Sequence, residues 1–296
     1  MEDQIEALRT GKLDFDCSDL CLTQNTETNP RMFRGPGYIR QDPEGGLCFK
    51  IYPAETQNYD HYRSVENFGL PGTLVSEDQF YSLKAMDASG KVWTCNRIIP
   101  DLAVNYRGPE PVTIVSGDLY AITCVEPFTH RKKPYIAVHF FGDYEIPCNS
   151  STVMETTIAE KSVSRSSHLN LAKFESCGCS FLLSTKPGQL IVEVVADVMQ
   201  DNLDQRIVES LRFLLAKPLQ MRVMLRQDGQ KRTLWLASPQ PVATGTRLKP
   251  PIHRLAGPAA HTWSWRLFDC YFKFVHSRQE ETCFAPVESG RSLRSG

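Results

Sequence analysis

The chain has 296 residues, of which 41% are hydrophobic and 23% are charged, and its formal net charge is −1. These values are typical of a globular protein with an ordinary core, and they argue against a protein that binds nucleic acid through overall basicity. The acidic start lacks the apolar segment of a secretory signal, and no stretch approaches the roughly 18 consecutive apolar residues of a membrane span. We therefore expect a soluble, cytoplasmic protein.

The first 32 residues are polar, with a short helix predicted over Ile5 to Leu8. From Phe33 onward, short strands alternate with turns rich in Gly, Pro and Asp at about ten-residue spacing, which is typical of an antiparallel β-sandwich or open barrel. The turns are predicted at 35–37, 42–46, 87–90 and 116–118. The strands are predicted at 48–52, 80–86, 92–98, 112–115, 119–125 and 135–141. This first β unit is expected to span 33–147.

The segment 148–238 predicts an α+β unit with the order β-β-α-β-β. It begins with a Ser-rich loop at 162–167, and the strands are predicted at 179–184, 189–198, 221–226 and 233–237. The helix between the second and third strands can be capped by Asp201 or Asn202 and ends before Pro218. Its apolar residues repeat at helical spacing: Leu203, Ile207, Leu211, Phe213 and Leu214. The expected fold class is mainly β, with an α+β second unit and a C-terminal helix.

Five prolines between residues 239 and 260 indicate a connector. A helix is predicted over 261–278, with Trp263, Leu267, Tyr271 and Phe274 on one face. The segment 279–296 has no pattern and is expected to be a flexible tail. The helix either packs on the second unit or begins a domain that this chain lacks.

Ten cysteines are scattered through strand-like surroundings, and in the absence of a secretory signal this favours reduced, half-buried thiols. Cys177-Gly178-Cys179 has the spacing of half a zinc site, but no second Cys-x-x-Cys exists. Only Cys17, Cys21 and His168 remain as partners for it. A glycine kink before a strand is the preferred interpretation, and no metal or other cofactor is predicted.

Two groups of basic residues are candidates for binding nucleic acid or another anion. The first is the loop His130-Arg131-Lys132-Lys133, which lies between two predicted strands beside aromatic residues. The second is the last hairpin, where strand alternation predicts that Arg222 and Arg226 share a face opposite Met221, Val223 and Leu225. The alternative for both groups is an ordinary solvated surface.

The sequence contains no Gly-x-Ser-x-Gly, Walker A or His-Glu-x-x-His motif. Asp60 and His61 adjoin in a loop and could perform acid–base chemistry, although no nucleophile is placed beside them by a motif. Arg254 and His261 match the Arg-x6-His spacing of HEPN ribonucleases. We reject this match because Gly257-Pro258 would break the helix that must carry both residues.

The turn and strand patterns of the first unit resemble the β-rich N-terminal regions of bacterial ApeA-type antiphage HEPN proteins. The matching segments are Gly35–Ile39, Gly46–Ile51, Gly72–Leu74, Phe80–Asp87 and Gly90–Trp93. The resemblance covers at most 33–240. It implies a sensing or regulatory region, since the nuclease of that family lies in a C-terminal helical domain. We expect this chain to lack that domain, so nuclease activity is not implied.

Three functions follow as hypotheses. The first is a non-enzymatic binding, sensor or scaffold module of a bacterial cytoplasmic protein. This module would be the regulatory part of a defence-like system, and its partner would be another protein or a missing C-terminal effector domain. The second is a hydrolase on a β scaffold, with a site assembled by the fold. The third is a nucleic-acid-binding module that uses the two basic groups.

Overall fold

The computed structural model describes residues 2–53, 75–105, 112–128, 133–158, 162–240, 249–251 and 258–278. Strands take up 50% of the chain and helices 20%, which confirms the predicted β-rich fold with a C-terminal helix. The chain forms two compact units. The first combines Met1–Glu126 with Thr233–Pro239, and the second combines Pro127–Arg232 with Gln240–Gly290.

The helices are α1 (Glu2–Arg9), α2 (Leu203–Leu215) and α3 (Pro258–Ser277). The first unit contains β1 (Asp14–Gln24), β2 (Met32–Gln41), β3 (Leu47–Ile51), β4 (Tyr81–Asp87), β5 (Val92–Ile98), β6 (Asp101–Asn105), β7 (Val112–Leu119) and β8 (Ala121–Pro127). The second unit contains β9 (Tyr135–Phe141), β10 (Ser150–Ile158), β11 (Ser162–Ser176), β12 (Cys179–Lys186), β13 (Gln189–Ala196) and β14 (Met221–Asp228). The last strand, β15 (Lys231–Ala237), begins in the second unit and ends in the first.

Antiparallel pairs in the first unit close into a barrel. The pairing runs β4-β1-β2-β3-β7 and returns through β8 and β5 to β4. Only Tyr120 separates β7 from β8, so these two strands act as one long strand. Strands β5 and β6 form the other long strand, which pairs with it in one continuous register. The four strands together are therefore one long hairpin. Alternate side chains fill the interior and are at most 2% exposed: Leu20, Leu22, Ile39, Phe49, Leu83, Trp93, Val115 and Ile122.

The predicted turn Gly35-Pro36-Gly37 lies inside strand β2. A bulge in β1 between Cys17 and Leu20 places two residues opposite Pro36. Proline has no amide hydrogen to donate to the neighbouring strand, and a bulge interrupts the ladder of hydrogen bonds at that point, so proline is tolerated there. A Cβ atom at Gly37 would lie 1.9 Å from the carbonyl oxygen of Lys50, so only glycine fits there. The residues 1–32, expected to precede the β unit, supply β1, whose bulge disguises its alternation in the sequence.

A second predicted turn, Ser116-Gly117-Asp118, also lies inside a strand. These residues pair with Lys50, Phe49 and Cys48 of β3, and the chain only bends afterwards, at Tyr120. Pairing between distant strands therefore outweighs the local turn preference of Ser, Gly and Asp.

The second unit is an open antiparallel sheet with the order β10-β11-β12-β13-β9-β14. Helices α2 and α3 cover one of its faces. Buried side chains from strands and helices share that core, among them Ile136, Val138, Phe140, Leu190, Val192, Ile207, Leu211 and Phe272. Because β9 lies between β13 and β14, it belongs to this unit, and the units divide at Pro127 rather than at the predicted residue 147.

The predicted Ser-rich loop at 162–167 is instead part of β11. It pairs with β10, a strand that sequence patterns did not predict. Only Leu171–Ser176 of β11 pairs with β12, so the eight pairs from Ser151↔Leu169 to Ile158↔Ser162 form a two-stranded ribbon beyond the rest of the sheet. We call these residues, 151–158 and 162–169, the β10–β11 arm.

Helices α2 and α3 confirm the two helices predicted after residue 200. Asn202 precedes α2, but its side chain makes no capping hydrogen bond, and Ala216 in the left-handed conformation ends the helix before Pro218. Helix α3 packs on the second unit through Trp265 and Phe268, which are not on its predicted apolar face. No helix within the described ranges is both long enough and apolar enough to cross a membrane.

Candidate binding site on helix α3

The inner face of α3 is anchored by an aromatic cluster. The Trp265 ring stacks on Phe174 of β11 with 4.4 Å between centroids, and Phe268 meets the same ring edge-on at 5.0 Å. Phe272 meets Phe181 of β12 edge-on at 5.3 Å. Offset-stacked and edge-on pairs add to the stability supplied by burial, so the sheet fixes the rotation of α3 about its axis.

The first turns of α3 are also tied to the segment that precedes β10. The Trp265 indole Nε1 donates to the carbonyl oxygen of Pro147 at 2.6 Å. The His261 Nδ1 atom lies 2.7 Å from the carbonyl oxygen of Cys148. His261, matched at first to a ribonuclease spacing, thus has a structural partner, whereas Arg254 lies outside the described residues.

At the other end, Arg206 of α2 binds the C-terminus of α3. Its guanidinium donates to the carbonyl oxygen of His276 in the last turn at 3.2 Å and to that of Arg278, just after the helix, at 3.0 Å. The last carbonyl groups of a helix need such donors from outside the helix. The same guanidinium binds Gln200, whose side chain lies 2.9 Å from His276 Nε2. Burial, and then the charge of Arg206, lower the pKa of His276, so its imidazole is neutral at pH 7.

The opposite side of α3 carries large aromatic side chains that point to solvent. Trp263 is 58% exposed and Phe274 is 52% exposed, and Cys270 between them is also exposed. The Arg266 guanidinium lies 5.0 Å from the Trp263 ring centroid, and that of Arg278 lies 4.8 Å from the Phe274 centroid. We call these five residues the outer face of α3. The predicted apolar face, which contained Trp263 and Phe274, is therefore partly the outward one.

The charge on this side of the helix is positive. Arg266, Lys273 and Arg278 are cationic, and Asp269 is the only acidic residue in the sequence of α3. Asp269 accepts hydrogen bonds from Ser176 at 2.6 Å and Lys273 at 2.7 Å. Burial alone would raise its pKa, but these hydrogen bonds together lower it, so the carboxylate stays charged and engaged.

Beside α3, the tip of the β11–β12 hairpin borders an open depression of about 440 Å³. Cys177 and Gly178 form the turn with φ of 49° and 69°, the conformation of a two-residue type I′ hairpin. This agrees with the interpretation of a kink before a strand. Lys133, whose ammonium lies 3.0 Å from the Asp197 carboxylate, and Lys273 of α3 also line the depression.

Four of the nine cysteines within the described ranges are buried, four are half-buried and Cys270 is exposed. Burial raises the pKa of Cys95, Cys124 and Cys179 to about 11, so these thiols stay protonated at neutral pH. Cys17 and Cys21 lie on β1 of the first unit. The residues that the structure describes contain no group of three or more His, Cys, Asp or Glu side chains arranged to hold a metal ion.

The predicted basic groups are not assembled as strand alternation suggested. A bulge in β14 between Met221 and Val223 separates the two arginines. Arg226 pairs with Ile136 on the helix-covered face, where it donates to the carbonyl oxygen of Asp201 at 3.1 Å.

Arg222 lies over the Phe141 ring on the opposite face of the sheet and is only 7% exposed. Burial lowers the pKa of its guanidinium. The prediction that Arg222 and Arg226 share a face is therefore wrong, and Arg222 is too deeply buried to reach a phosphate. The first three residues of the other basic group, His130, Arg131 and Lys132, lie outside the described residues.

A polar group that sequence patterns did not predict lies on the face of the sheet opposite the helices. His139 Nδ1 lies 2.7 Å from Gln189 Nε2, and the Tyr135 hydroxyl donates to Glu193. Burial lowers the pKa of His139 to about 4, although Glu193 opposes the shift, so the imidazole is neutral at pH 7. Strand alternation in the sequence could have predicted this group, because it places Tyr135 and His139 on the same face of an otherwise apolar strand.

No protein-family model, curated protein or solved structure matches this chain. The resemblance to ApeA-type proteins therefore stays a prediction. Asp60 and His61 lie outside the described residues, so the hydrolase hypothesis is also unchanged.

Proposed function

We propose that the chain is a non-enzymatic binding module that holds an acidic segment of a partner protein on the outer face of α3. The observation that carries this proposal is the exposure of Trp263 and Phe274 on a helix whose other face is fixed in the core. Tryptophan and arginine are among the residues that contribute most to binding when an interface buries them. Exposed apolar surface next to polar groups is typical of an interaction site.

The spacing and charge of this face fit an extended acidic peptide. Trp263 and Phe274 are eleven residues apart, which is about 16 Å along a helix. An extended peptide covers that distance with about five residues. Each aromatic ring has a guanidinium beside it, from Arg266 or Arg278. At the Trp263 end, the face therefore offers apolar contact together with the cation of Arg266 for a carboxylate.

We place the module in a bacterial cytoplasmic protein, as the regulatory part of a defence-like system. The support is the resemblance of the strand and turn pattern to sensing regions of that kind. In this setting the acidic segment belongs to an effector, on another chain or in a further domain.

The test uses a fluorescein-labelled acidic peptide of about ten residues, Glu-rich with two leucines about five residues apart, and the same peptide with Lys in place of Glu. We expect the acidic peptide to bind with an affinity that falls as salt is added, and the basic peptide not to bind. The double variant Trp263→Ala/Phe274→Ala is expected to bind the acidic peptide at least about tenfold more weakly, because a few large side chains supply most of the binding free energy of an interface. Fluorescence anisotropy measures the affinity of each peptide for the parent chain and for the double variant.

The matched control is Val198→Ala, which removes an apolar side chain of the same unit that is 73% exposed. It should leave the affinity unchanged. Equal binding of the acidic and basic peptides, or an affinity that survives the loss of both aromatic residues, would rule the proposal out.

Binding of single-stranded nucleic acid is a second candidate, favoured by one observation. Lys133, the last residue of the predicted basic loop, and Lys273 of α3 line the same depression. Both lysines are paired with carboxylates, of Asp197 and Asp269, which is why we rank this function second. An oligothymidylate that binds more tightly than the acidic peptide, and whose affinity drops with Lys133→Ala, would reverse the ranking.

A further inference from the structure

We propose that the β10–β11 arm is a dimerisation element, in which β10 pairs antiparallel with β10 of a second copy of this chain. The result is a four-stranded sheet with the order β11-β10-β10-β11 across a two-fold axis. The proposal concerns a different surface from the outer face of α3 and does not depend on the partner proposed for that face.

The arm has an open edge. Strand β10 is the end strand of its sheet, and β11 is its only pairing partner among the described residues. In an antiparallel strand, about half of the backbone N–H and C=O groups point to each side. The outer side of β10 therefore offers a row of hydrogen-bonding groups along nine residues, about 30 Å of strand.

The arm is also too thin to be stable as an isolated ribbon. Its eight pairs lie beyond the last residues that pair with β12. A two-stranded ribbon is at best marginally stable in water, and independent stability needs three or more strands with a hydrophobic face. Pairing with a second copy would place each arm in a four-stranded sheet.

Natural edge strands are usually protected by lysine, proline or strong local twist. The sequence of β10, SSTVMETTI, contains no lysine and no proline, and Glu155 is its only charged residue. The one bulge in its pairing lies at its first residues, between Ser150 and Ser151. An edge without these protections fits one that is covered in the working protein.

The sequence of β10 favours a second copy as the occupant because its hydroxyl residues lie symmetrically about Met154 at two of the four pairs of positions. With Met154 on the two-fold axis, all nine residues find a partner. Thr152 lies opposite Thr156 of the second copy, and Ser151 lies opposite Thr157. Cross-strand pairs of hydroxyl side chains are favourable. Glu155 lies opposite Val153, so no like charges face each other directly.

The experiment compares two double variants at the same positions. In Thr152→Lys/Thr156→Lys, the proposed register sets lysine opposite lysine at two symmetric positions. In Thr152→Lys/Thr156→Glu, it sets lysine opposite glutamate. Within one chain these positions pair with His168 and Ser164, so neither change places like charges opposite each other in the β10–β11 ladder at neutral pH.

Sedimentation velocity over a wide concentration range measures the dimer dissociation constant. We expect a reversible dimer for the parent chain, an increase of the dissociation constant of about tenfold or more for the Lys/Lys variant, and a value close to that of the parent for the Lys/Glu variant. Circular dichroism of each variant checks that the fold is kept.

A parent chain that stays monomeric overturns the proposal, including the case in which the edge instead takes an extended peptide of another protein. A dimer that responds equally to the Lys/Lys and Lys/Glu variants overturns it as well, because the paired positions would then not be opposite each other.

Discussion

The two units use their strands differently. Each strand of the barrel ring in the first unit has a partner on both sides, and closure leaves those strands without a free edge. The second unit is an open sheet that buries one face under α2 and α3 and ends at β10. An open sheet covered by helices has helix faces and strand edges toward solvent. Both proposed interaction surfaces accordingly belong to the second unit.

The largest expected effect tests whether α3 stabilises the core of the second unit without affecting the first. Phe268 is 0% exposed and meets Phe174 and Phe181, so Phe268→Ala should lower the free energy of unfolding by about 3–5 kcal/mol. Hydrogen exchange should rise in β11–β13 and remain unchanged in β1–β5. Phe274→Ala, on the outward side of the same helix, should change stability by less than about 0.5 kcal/mol. Equal losses from both variants would contradict the two-sided description of α3.

The second effect concerns how acid changes the stability of the second unit, to which His139 belongs. His139 has a folded pKa of about 4 against an unfolded value of 6.5, so the folded state disfavours its protonation. The stability linked to this group is fully present above about pH 6.5 and is lost as the pH falls toward 4, by about 3 kcal/mol in total.

In the variant His139→Gln, the free energy of unfolding should therefore fall less steeply between pH 7 and pH 4.5 than in the parent chain. Urea titrations at several pH values measure this difference. Carboxylates that do not interact with His139 are common to both proteins and cancel, whereas Glu193 interacts with it. Parallel curves for parent and variant would show that His139 is not held in its neutral form by the fold.

The third effect concerns the close approach of β2 and β3 in the barrel. A Cβ atom at Gly37 would meet a backbone oxygen of Lys50, which cannot move without breaking the ladder, so Gly37→Ala should cost about 2 kcal/mol. At Gly46 the new atom would meet only the side chain of Asp42, so Gly46→Ala should cost less. Thermal unfolding of both variants measures the difference, and a harmless Gly37→Ala would count against this strand packing.

The smallest effect concerns the end of α3. Arg206→Ala should remove the hydrogen bonds to the last carbonyl groups of the helix and lower stability by about 1 kcal/mol. Amide exchange should increase in the final turn of α3 only. Arg206→Lys keeps the charge but not the forked donor geometry, and should recover only part of the loss. Full recovery by lysine would show that charge alone is responsible.

Local patterns predicted the elements that follow simple rules. The hairpin of β4 and β5, the strands β12 and β13, and helices α2 and α3 all have regular periodicity and clear turns. The failures have a common physical cause. Gly35-Pro36-Gly37, Ser116-Gly117-Asp118 and Ser162–Ser167 read locally as turns or loops, but pairing with neighbouring strands of the sheet holds them extended.

The site was harder to predict than the fold. The sequence predicts an aromatic helix, but not which aromatic residues of α3 face solvent, because Trp263 and Trp265 are close neighbours in the chain and only packing against Phe174 selects one of them. Likewise, the single bulge in β14 reassigns Arg222 and Arg226, and nothing in their spacing reveals it.

The path of β15 has a consequence for how the protein is made. Leu234 and Leu236 are 0% exposed, and the Ser238 hydroxyl donates to the Leu119 carbonyl while accepting from the Leu47 amide, so residues 233–239 complete the first unit. During synthesis these residues leave the ribosome after all six strands of the second unit and α2. The first unit, although it begins at the N-terminus, cannot be completed before the second, and a chain cut after residue 126 would lack the last segment of that unit.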